Sequence, residues 1–497
     1  MNSSFDAQTQ KILDTLISKL PKDAHGFLVG GAVRDVLLNR PIHDFDIAYS
    51  GSIKPYAKKV ADSLGASYFV LNEQFQTARV ISTIKNQFSI DIVGMRGKTI
   101  EDDLNLRDFT INAMAFDLRN LGKLIDPKNG AKDLLEKRLK ACSEYSFHDD
   151  PIRVLRAIRQ SIFFGLRIDQ TTSQLMKGSI SDLSSMSSER IRDEFMRTLD
   201  LPNPVTAVNI LDLLNILDLI LPTVNISSLK MFNHPETKTN LWENIVLTMK
   251  NLLMLEQVLI GDYISGGART LRGGEAVLQL GRYRFELQKV LEKQLHQDRR
   301  IRSLMVLACL FLNSHRLSNQ YKTDGVKLKN FGVLSNDFYS CAKKLTLTNK
   351  EAKWGSQMVG GIQIFHDMAT GFDSNRNDMI YRYFRILGDS GLLTCLLGLS
   401  ETLTYEGLNG FEVRWHSELL FSKAVMEAYW EKHALIINPP LYLNGDEIKD
   451  TFKEIKPDQI GSWIERISEA TASGLIHNKS DALRFIQEYK LNNSKKM

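Results

Sequence analysis

The sequence predicts an α+β protein, with an N-terminal head built on a small mixed sheet and helices, followed by an all-α neck, body and tail. Three observations predict it. Short apolar runs of strand length alternate with helical periodicity through the first part of the chain. From about residue 131 the strand pattern largely vanishes and helical spacing takes over. The fingerprint Gly-x-Gly-x-x-Gly is absent, which counts against a dinucleotide-binding sheet. With 497 residues, 43% hydrophobic and 24% charged, the chain has room for several ordinary domains. We divide it as 1–140 (head), 141–222 (neck), 223–430 (body) and 431–497 (tail).

Ile12, Leu13, Leu16, Ile17 and Leu20 fall on one face of a leading amphipathic helix, and acidic Asp6 argues against a transit peptide. Phe27, Leu28 and Val29 form a buried strand, and Gly30-Gly31 follows directly. Ala32 to Leu38 is a short helix ended by Asn39-Arg40-Pro41. The next strand carries Asp44, Phe45 and Asp46. Residues two apart on a strand share a face, so the two carboxylates stand side by side with Phe45 opposite. Such a pair repels unless a cation lies between, and carboxylates with substrate phosphates are the usual magnesium site. The Gly-Gly turn allows a phosphate close to the backbone, and the following helix start favours an anion.

A helix over Ile53–Leu64 leads to strands over 66–71, 78–84 and 88–93, with Lys85-Asn86-Gln87 joining the last two. Asp91 lies between Ile90 and Ile92, and a carboxylate inside an apolar strand needs a partner. A position beside Asp44 and Asp46 would supply one as a shared metal. Arg107, Asp108 and Asn112 offer a guanidinium fork and two acceptors suited to phosphate and ribose hydroxyls. Asp126-Pro127-x-x-Gly130-x-x-Asp133 marks a turn between strand and helix. Asp149 or Asp150 caps a helix with Pro151 in its first position. Arg153, Arg156 and Arg159 then stack on one stripe without an acidic partner there; a solvated face is the usual explanation of such a stripe, and a polyphosphate is the sharper one.

Together, Gly30-Gly31-x-x-Arg34-Asp35, Asp44-x-Asp46, Arg107-Asp108-x-x-x-Asn112-Ala113 and Asp150-x-x-Arg153 resemble motifs of the class II nucleotidyltransferases, the family of CCA-adding enzymes and bacterial poly(A) polymerases. Leu106 replaces the first arginine of the second motif, and Asp149 replaces the usual glutamate of the last. Ser187-Ser188-Glu189-Arg190 resembles a neck motif that braces packing. The resemblance implies transfer of C and A from CTP and ATP to a tRNA 3′ end. Asp44 and Asp46 would hold Mg²⁺, with Asp91 as a third catalytic carboxylate. Gly31, Arg34, Arg107, Asp108, Asn112, Arg156 and Arg159 would bind the nucleotide, and Asp150 and Arg153 would read its base. C and A carry an exocyclic amino group where U and G carry a carbonyl, so an acceptor-only carboxylate discriminates between the two pairs. Alternatives are a CC-only or A-only enzyme, a poly(A) polymerase, or a noncatalytic RNA-binding protein.

Some members of the family the chain resembles carry an appended HD-type phosphohydrolase domain; beyond residue 225, Asn244 and Asn313-Ser314 fall where its metal ligands are expected, so such a domain would have lost its metal, and His234 alone reads as a structural or surface histidine. Residues 264–302 carry nine Arg or Lys against four Asp or Glu, with Gly266-Gly267 and Gly273-Gly274, a candidate surface for a phosphate backbone. The net charge of +5 permits an RNA partner without demanding one. Cys142, Cys309, Cys341 and Cys395 are far apart, as expected for reduced cytoplasmic thiols. The most apolar stretch, Leu304 to Leu312, is too short to span a bilayer.

Overall fold

The computed structural model describes residues 6–72, 77–84, 88–261, 270–296, 299–312, 327–373 and 376–494. It divides into two compact units, Met1–Glu194 and Phe195–Met497. In the first unit, strands β1 (Gly26–Val29), β2 (Asp44–Tyr49), β3 (Ser67–Asn72), β4 (Thr77–Ile81), β5 (Ser89–Gly94), β6 (Ala115–Asp117) and β7 (Asn120–Ile125) form one sheet. Their order is β3-β4-β5-β2-β1-β6-β7. β2 and β5 run parallel, while the other described pairs of this sheet are antiparallel.

The alternation of side chains splits this sheet into two different faces. On one, Phe45, Ile47 and Tyr49 join Leu28, Ala78, Val80, Ile90 and Ile92 in the main core. Helices α1 (Ala7–Lys19) and α3 (Ile53–Leu64) cover that face with Ile12, Leu13, Leu16, Tyr56 and Val60. Tyr56 Oη donates to the Leu16 carbonyl at 2.8 Å and ties the two helices together. The other face carries a smaller cluster around Phe27, Val29, Ala48 and Ala115. Asp44 and Asp46 therefore share the thinly covered face.

The leading helix buries Ile12, Leu13 and Leu16 as its spacing predicts, with Ile17 and Leu20 packed partly against the core. Asp6 is its N-cap, accepting from the Gln8 and Thr9 amides at 3.0 and 2.9 Å. The strand expected over 78–84 stops at Ile81, and the Lys85–Gln87 connection lies outside the described residues. The β6–β7 hairpin was not expected: β7 is largely exposed, so it lacks the alternation that marks a half-buried strand.

Further helices of this unit are α2 (Gly31–Leu37), α4 (Ile100–Asn105), α5 (Gly130–Leu135), α6 (Ser146–Asp149), α7 (Arg153–Phe164), α8 (Gln170–Gly178) and α9 (Ser188–Leu199), which carries the boundary between the units. The expectation that Asp149 or Asp150 caps α7 is corrected. Asp150 ends α6 in extended geometry, and Pro151 and Ile152 form a turn that delays the helix to Arg153. The turn is closed by Arg153 and Val154 amides on the Asp150 and Pro151 carbonyls. Ile152, Leu155 and Ile158 are buried as the core face, and Ile162 partly so.

Among its described residues, the second unit is helical apart from a short pair, Gln294–His296 with Arg299–Arg300, and an isolated bridge between Asn233 and Asn240. Its last helices, Gly445–Thr451, Pro457–Ala472 and Lys479–Ser494, enclose their own core around Leu443, Ile448, Trp463, Ile467 and Ile486. A stretch longer and more extended in apolar character than Leu304–Leu312 runs from Asn377 to Tyr405, and most of it is buried within the protein. His234 is a buried turn residue: Nδ1 accepts from the Glu236 amide at 3.2 Å and Nε2 meets Tyr405 Oη at 3.2 Å. Asn244 bonds Thr237 and Thr239, and Asn313-Ser314 lie outside the described residues.

In the basic segment over 264–302, Gly266-Gly267 lie outside the described residues. Arg272 pairs with Glu275, Glu406 and Glu412, Arg282 with Glu431, Arg299 with Glu351, and Arg302 with Glu256. Most of those acids come from distant parts of the chain, so these four arginines are engaged in internal ion pairs.

One buried polar group has a consequence for stability. His366 lies between Glu418 (Nδ1···Oε1, 2.8 Å) and Glu401 (Nε2···Oε2, 3.0 Å). Burial would lower the imidazole, but hydrogen bonds to the two glutamates outweigh it and hold the group above its ordinary value. A raised folded-state value means that charged His366 stabilises fully below about pH 6.5, and that this is lost as pH rises through the folded-state value. We predict that His366→Leu destabilises the second unit by about 3 kcal/mol, because the group that bridges two buried carboxylates is lost and Glu418 keeps only Arg414 as its cation. Urea unfolding of both proteins should show the gap narrowing from pH 6 to pH 9; a gap that widens with pH is the contrary result.

Candidate active site

The site is built where β1 hands over to α2. Gly30 sits at φ +70°, in the region that favours glycine. A Cβ there would lie 2.9 Å from Arg107 Nη1 and 3.0 Å from Asp46 Oδ2, so the position is closed to side chains twice over. Asp44 is exposed and accepts from Ser89 Oγ at 2.6 Å. Asp46 is half-buried and pairs in the ladder with Val29 on one side and Asp91 on the other. Burial pushes Asp46 up to about 6; Arg107 partly offsets this, and Asp91 and Asp44 reinforce it.

Asp91 is thus beside Asp46, but its partner here is a side chain. Arg79 donates Nε and Nη2 to Asp91 Oδ1 and Oδ2 at 2.6 and 2.7 Å, from the neighbouring position on β4. Sequence reasoning invoked a metal for this carboxylate and missed the arginine. The signal was available, since Arg79 and Asp91 are cross-strand neighbours on adjacent strands.

A second group gathers around the loop 106–112. Asp108 is buried, and its Oδ2 receives Arg156 Nε and Nη2 at 2.9 and 2.7 Å. Its Oδ1 receives the Phe109 amide and Asn112 Nδ2 at 2.8 and 3.0 Å. Burial alone would raise this carboxyl; Arg156, Asn112 and the amide overcome it and hold Asp108 down at about 2. Asn112 also donates to Gln160 Oε1 at 3.0 Å and accepts Arg34 Nη1 at 2.7 Å. Arg34 pairs with Asp35 and lies over the Phe164 ring at 4.1 Å. Asp108 and Asn112, read from sequence as sugar contacts, are here engaged in orienting Arg156 and Arg34. Arg107 is held by Asp103 Oδ2 at 2.9 and 3.1 Å.

Gly130 explains why the turn at 126–133 belongs to this site. A Cβ there would lie 2.0 Å from the Thr110 carbonyl oxygen. Asp133 accepts Thr110 Oγ1 at 2.8 Å, and Asp126 accepts the Gly130 and Ala131 amides at 2.7 and 3.0 Å. The segment is a brace beneath the loop.

The arginine stripe of α7 is not unpartnered. Arg153 donates to the Leu106 and Arg107 carbonyls at 3.0 and 3.3 Å and to Ser146 Oγ at 2.8 Å. The Leu106 main chain, not its side chain, makes that contact, so the departure from arginine leaves it intact. Arg156 takes Asp108 and Arg159 takes Glu194. Asp150 accepts Arg190 Nη2 on Oδ2 at 2.8 Å, while its Oδ1 is buried without a hydrogen-bond partner. Sequence reasoning gave Arg190 a packing role and missed this contact; Gln160 and Asp103 went unassigned as well. Gly31, at the start of α2, has Arg34 Nη2 3.2 Å from the place its Cβ would take.

Residues 26–140 match the family model described as the poly A polymerase head domain, and residues 165–226 match one described as a probable RNA and SrmB binding site of polymerase A. The chain is 40% identical over 201 residues to the CC-adding tRNA nucleotidyltransferase of Geobacter sulfurreducens, covering 39% of this chain and 46% of that one. It is 33% identical over 317 residues to the multifunctional CCA protein of Xylella fastidiosa, covering 59% of this chain and 75% of that one. Thus it spans about half the length of the first relative and three quarters of the second. In fold, it is similar to a CCA-adding enzyme solved in an apo form, with a TM-score of 0.59 and 21% identity over 97% of this chain and 93% of that one. The Thermotoga maritima CCA-adding enzyme solved with tRNA gives a TM-score of 0.56 and 20% identity, over 97% and 95% of the chains. On this identity and coverage, the chain belongs to the class II nucleotidyltransferase family of CCA-adding enzymes.

Proposed function

We propose that this protein adds C and A from CTP and ATP to the 3′ end of tRNA in the cytoplasm, without a nucleic acid template, releasing pyrophosphate. The observation that carries the reading is the tie between the two groups above. Arg156 on Asp108 and Arg153 on the 106–107 carbonyls fasten α7 to the loop that also places Arg107 beside Asp46. A carboxylate pair suited to phosphoryl transfer and a carboxylate suited to choosing a base are thereby parts of one scaffold.

The residues present fit a divalent metal. Asp44 and Asp46 offer hard oxygen donors, and Asp46 is a carboxylate whose ionised form the protein itself disfavours. Among the described residues no three His, Cys, Asp or Glu side chains form a ligand set, so the remaining ligands would be phosphate oxygens and water. Mg²⁺ on Asp44 and Asp46, two ions in the full complex, would activate the 3′-hydroxyl and neutralise the leaving pyrophosphate. Asp91, held by Arg79 in the ion-free protein, would complete the site as the third catalytic carboxylate on the hydroxyl side. Gly31 at the turn, with Arg34, Arg107, Arg156 and Arg159, would line the triphosphate and sugar; Asp108 and Asn112 hold two of those arginines in place. Asp150 would accept from the amino group of C or A, and Arg153 would donate to the neighbouring ring acceptors.

Incubation with tRNAs ending before CCA, after C and after CC, with CTP and ATP singly and together, tests the activity. We expect every substrate to be completed to CCA and then left alone. A product that stops after two C residues would make it a CC-adding enzyme like the Geobacter relative, and unlimited A addition would make it a poly(A) polymerase. Asp44→Ala should abolish incorporation in the same assay.

Asp46 gives a test that needs no turnover. Its folded-state value lies above the unfolded one, so ionisation costs the ion-free protein stability above about pH 6, and the cost fades as pH falls towards 4. Asp46→Asn should therefore raise the Tm of the ion-free protein at pH 8 and leave it nearly unchanged at pH 4. Added Mg²⁺ should raise the wild-type Tm and leave that of the variant where it was. Equal Mg²⁺ responses would remove Asp46 from the metal site.

A further inference from the structure

We infer that Arg190 is the positioning residue for nucleobase choice, holding the Asp150 carboxylate so that one oxygen is taken and the other is kept for the base. The inference rests on the base-reading role given to Asp150 above and extends it to a residue on another helix. Arg190 Nη2 donates to Asp150 Oδ2 at 2.8 Å, and Arg153 Nε approaches the same oxygen at 4.0 Å. Both cations therefore address Oδ2, and Oδ1 is left buried with no hydrogen-bond partner. An unsatisfied buried acceptor is costly, and a ligand donor would complete this one.

Two features make the contact more than a surface ion pair. Arg190 occupies the first turn of α9, where a cation opposes the helix dipole, so its placement needs a compensating anion, and Asp150 is that anion. Its second arm is fixed as well, with Nη1 3.6 Å from Met186 Sδ. On the other side Asp150 is confined by the Pro151-Ile152 turn. A carboxylate clamped from both directions presents one acceptor in one orientation. The amino group of C or A can donate to it, whereas the carbonyl of U or G meets a second acceptor and is repelled. Freed of Arg190, the side chain could turn either oxygen away from the base or meet it edge-on, and the penalty against U and G would fall.

The test uses full-length protein, a tRNA acceptor and each of the four nucleoside triphosphates singly. Arg190 is half-exposed, so Arg190→Met keeps the stem and removes the fork with little effect on the fold, which the Tm verifies. We expect Arg190→Met to raise KM for CTP and ATP and to lower it for UTP and GTP, with kcat little changed, narrowing selectivity about tenfold. Arg190→Lys should recover most of the selectivity, and Arg190→Met should add nothing in an Asp150→Ala background. An equal loss for all four nucleotides, or unaltered selectivity in Arg190→Met, overturns the inference. Asp150→Asn separates the two claims: if it retains wild-type selectivity the base-reading role itself falls, whereas if it relaxes choice and Arg190→Met does not, only the role of Arg190 falls.

Discussion

The ion pair between Arg156 and Asp108 is the contact on which the rest of the first unit depends. A buried carboxylate without a counter-ion is among the most costly groups a protein can hold, and removing one partner of such a pair typically costs a few kcal/mol. Here the carboxylate comes from a loop that also offers Asn112 to Arg34 and its own carbonyls to Arg153. One neutralisation therefore sets four side chains at once. The loop is not free to move without exposing Asp108, and α7 is not free to slide without stranding Arg156. Electrostatic preorganisation of this kind is what phosphoryl transfer requires, because the protein supplies position and charge more than covalent chemistry.

Much of this was legible in the sequence, for identifiable reasons. The β1 and β2 strands, the Gly30 turn and the side-by-side placement of Asp44 and Asp46 follow from short-range rules of alternation and backbone freedom. The core face of α7 follows from its period. What was not legible is who holds whom. Arg156 and Asp108, Arg159 and Glu194, and Arg190 and Asp150 are pairs joined only by the fold. A stripe of arginines read along one helix looks repulsive; in three dimensions each finds its acceptor elsewhere. The helix start at 150–153 was misplaced for a related reason. Asp-Pro is a good N-terminus signal locally, but Asp150 is wanted by Arg190 and the chain turns once more before α7 begins.

The second unit repeats the lesson with the opposite sign. Its basic segment looked like a surface for a nucleic acid backbone, yet Arg272, Arg299 and Arg302 are engaged by glutamates from elsewhere in the chain. His234, which the sequence placed near a degenerate metal site, organises a turn against Tyr405. Charge counted along a segment measures what is available, and the fold decides what is left over.

The pairing of Asp108 with Arg156 also bears on where this protein can be cut. The family model for the head ends at residue 140, and the seven-stranded sheet is complete by Ile125. The carboxylate in the loop behind that sheet is neutralised only when residue 156 has been made, and Arg159 is neutralised only at residue 194. A chain emerging from the ribosome would hold a finished sheet and an unfinished interior for the time it takes to add several tens of residues. The unit of inheritance and the unit of physical autonomy have different ends, and the second is the longer.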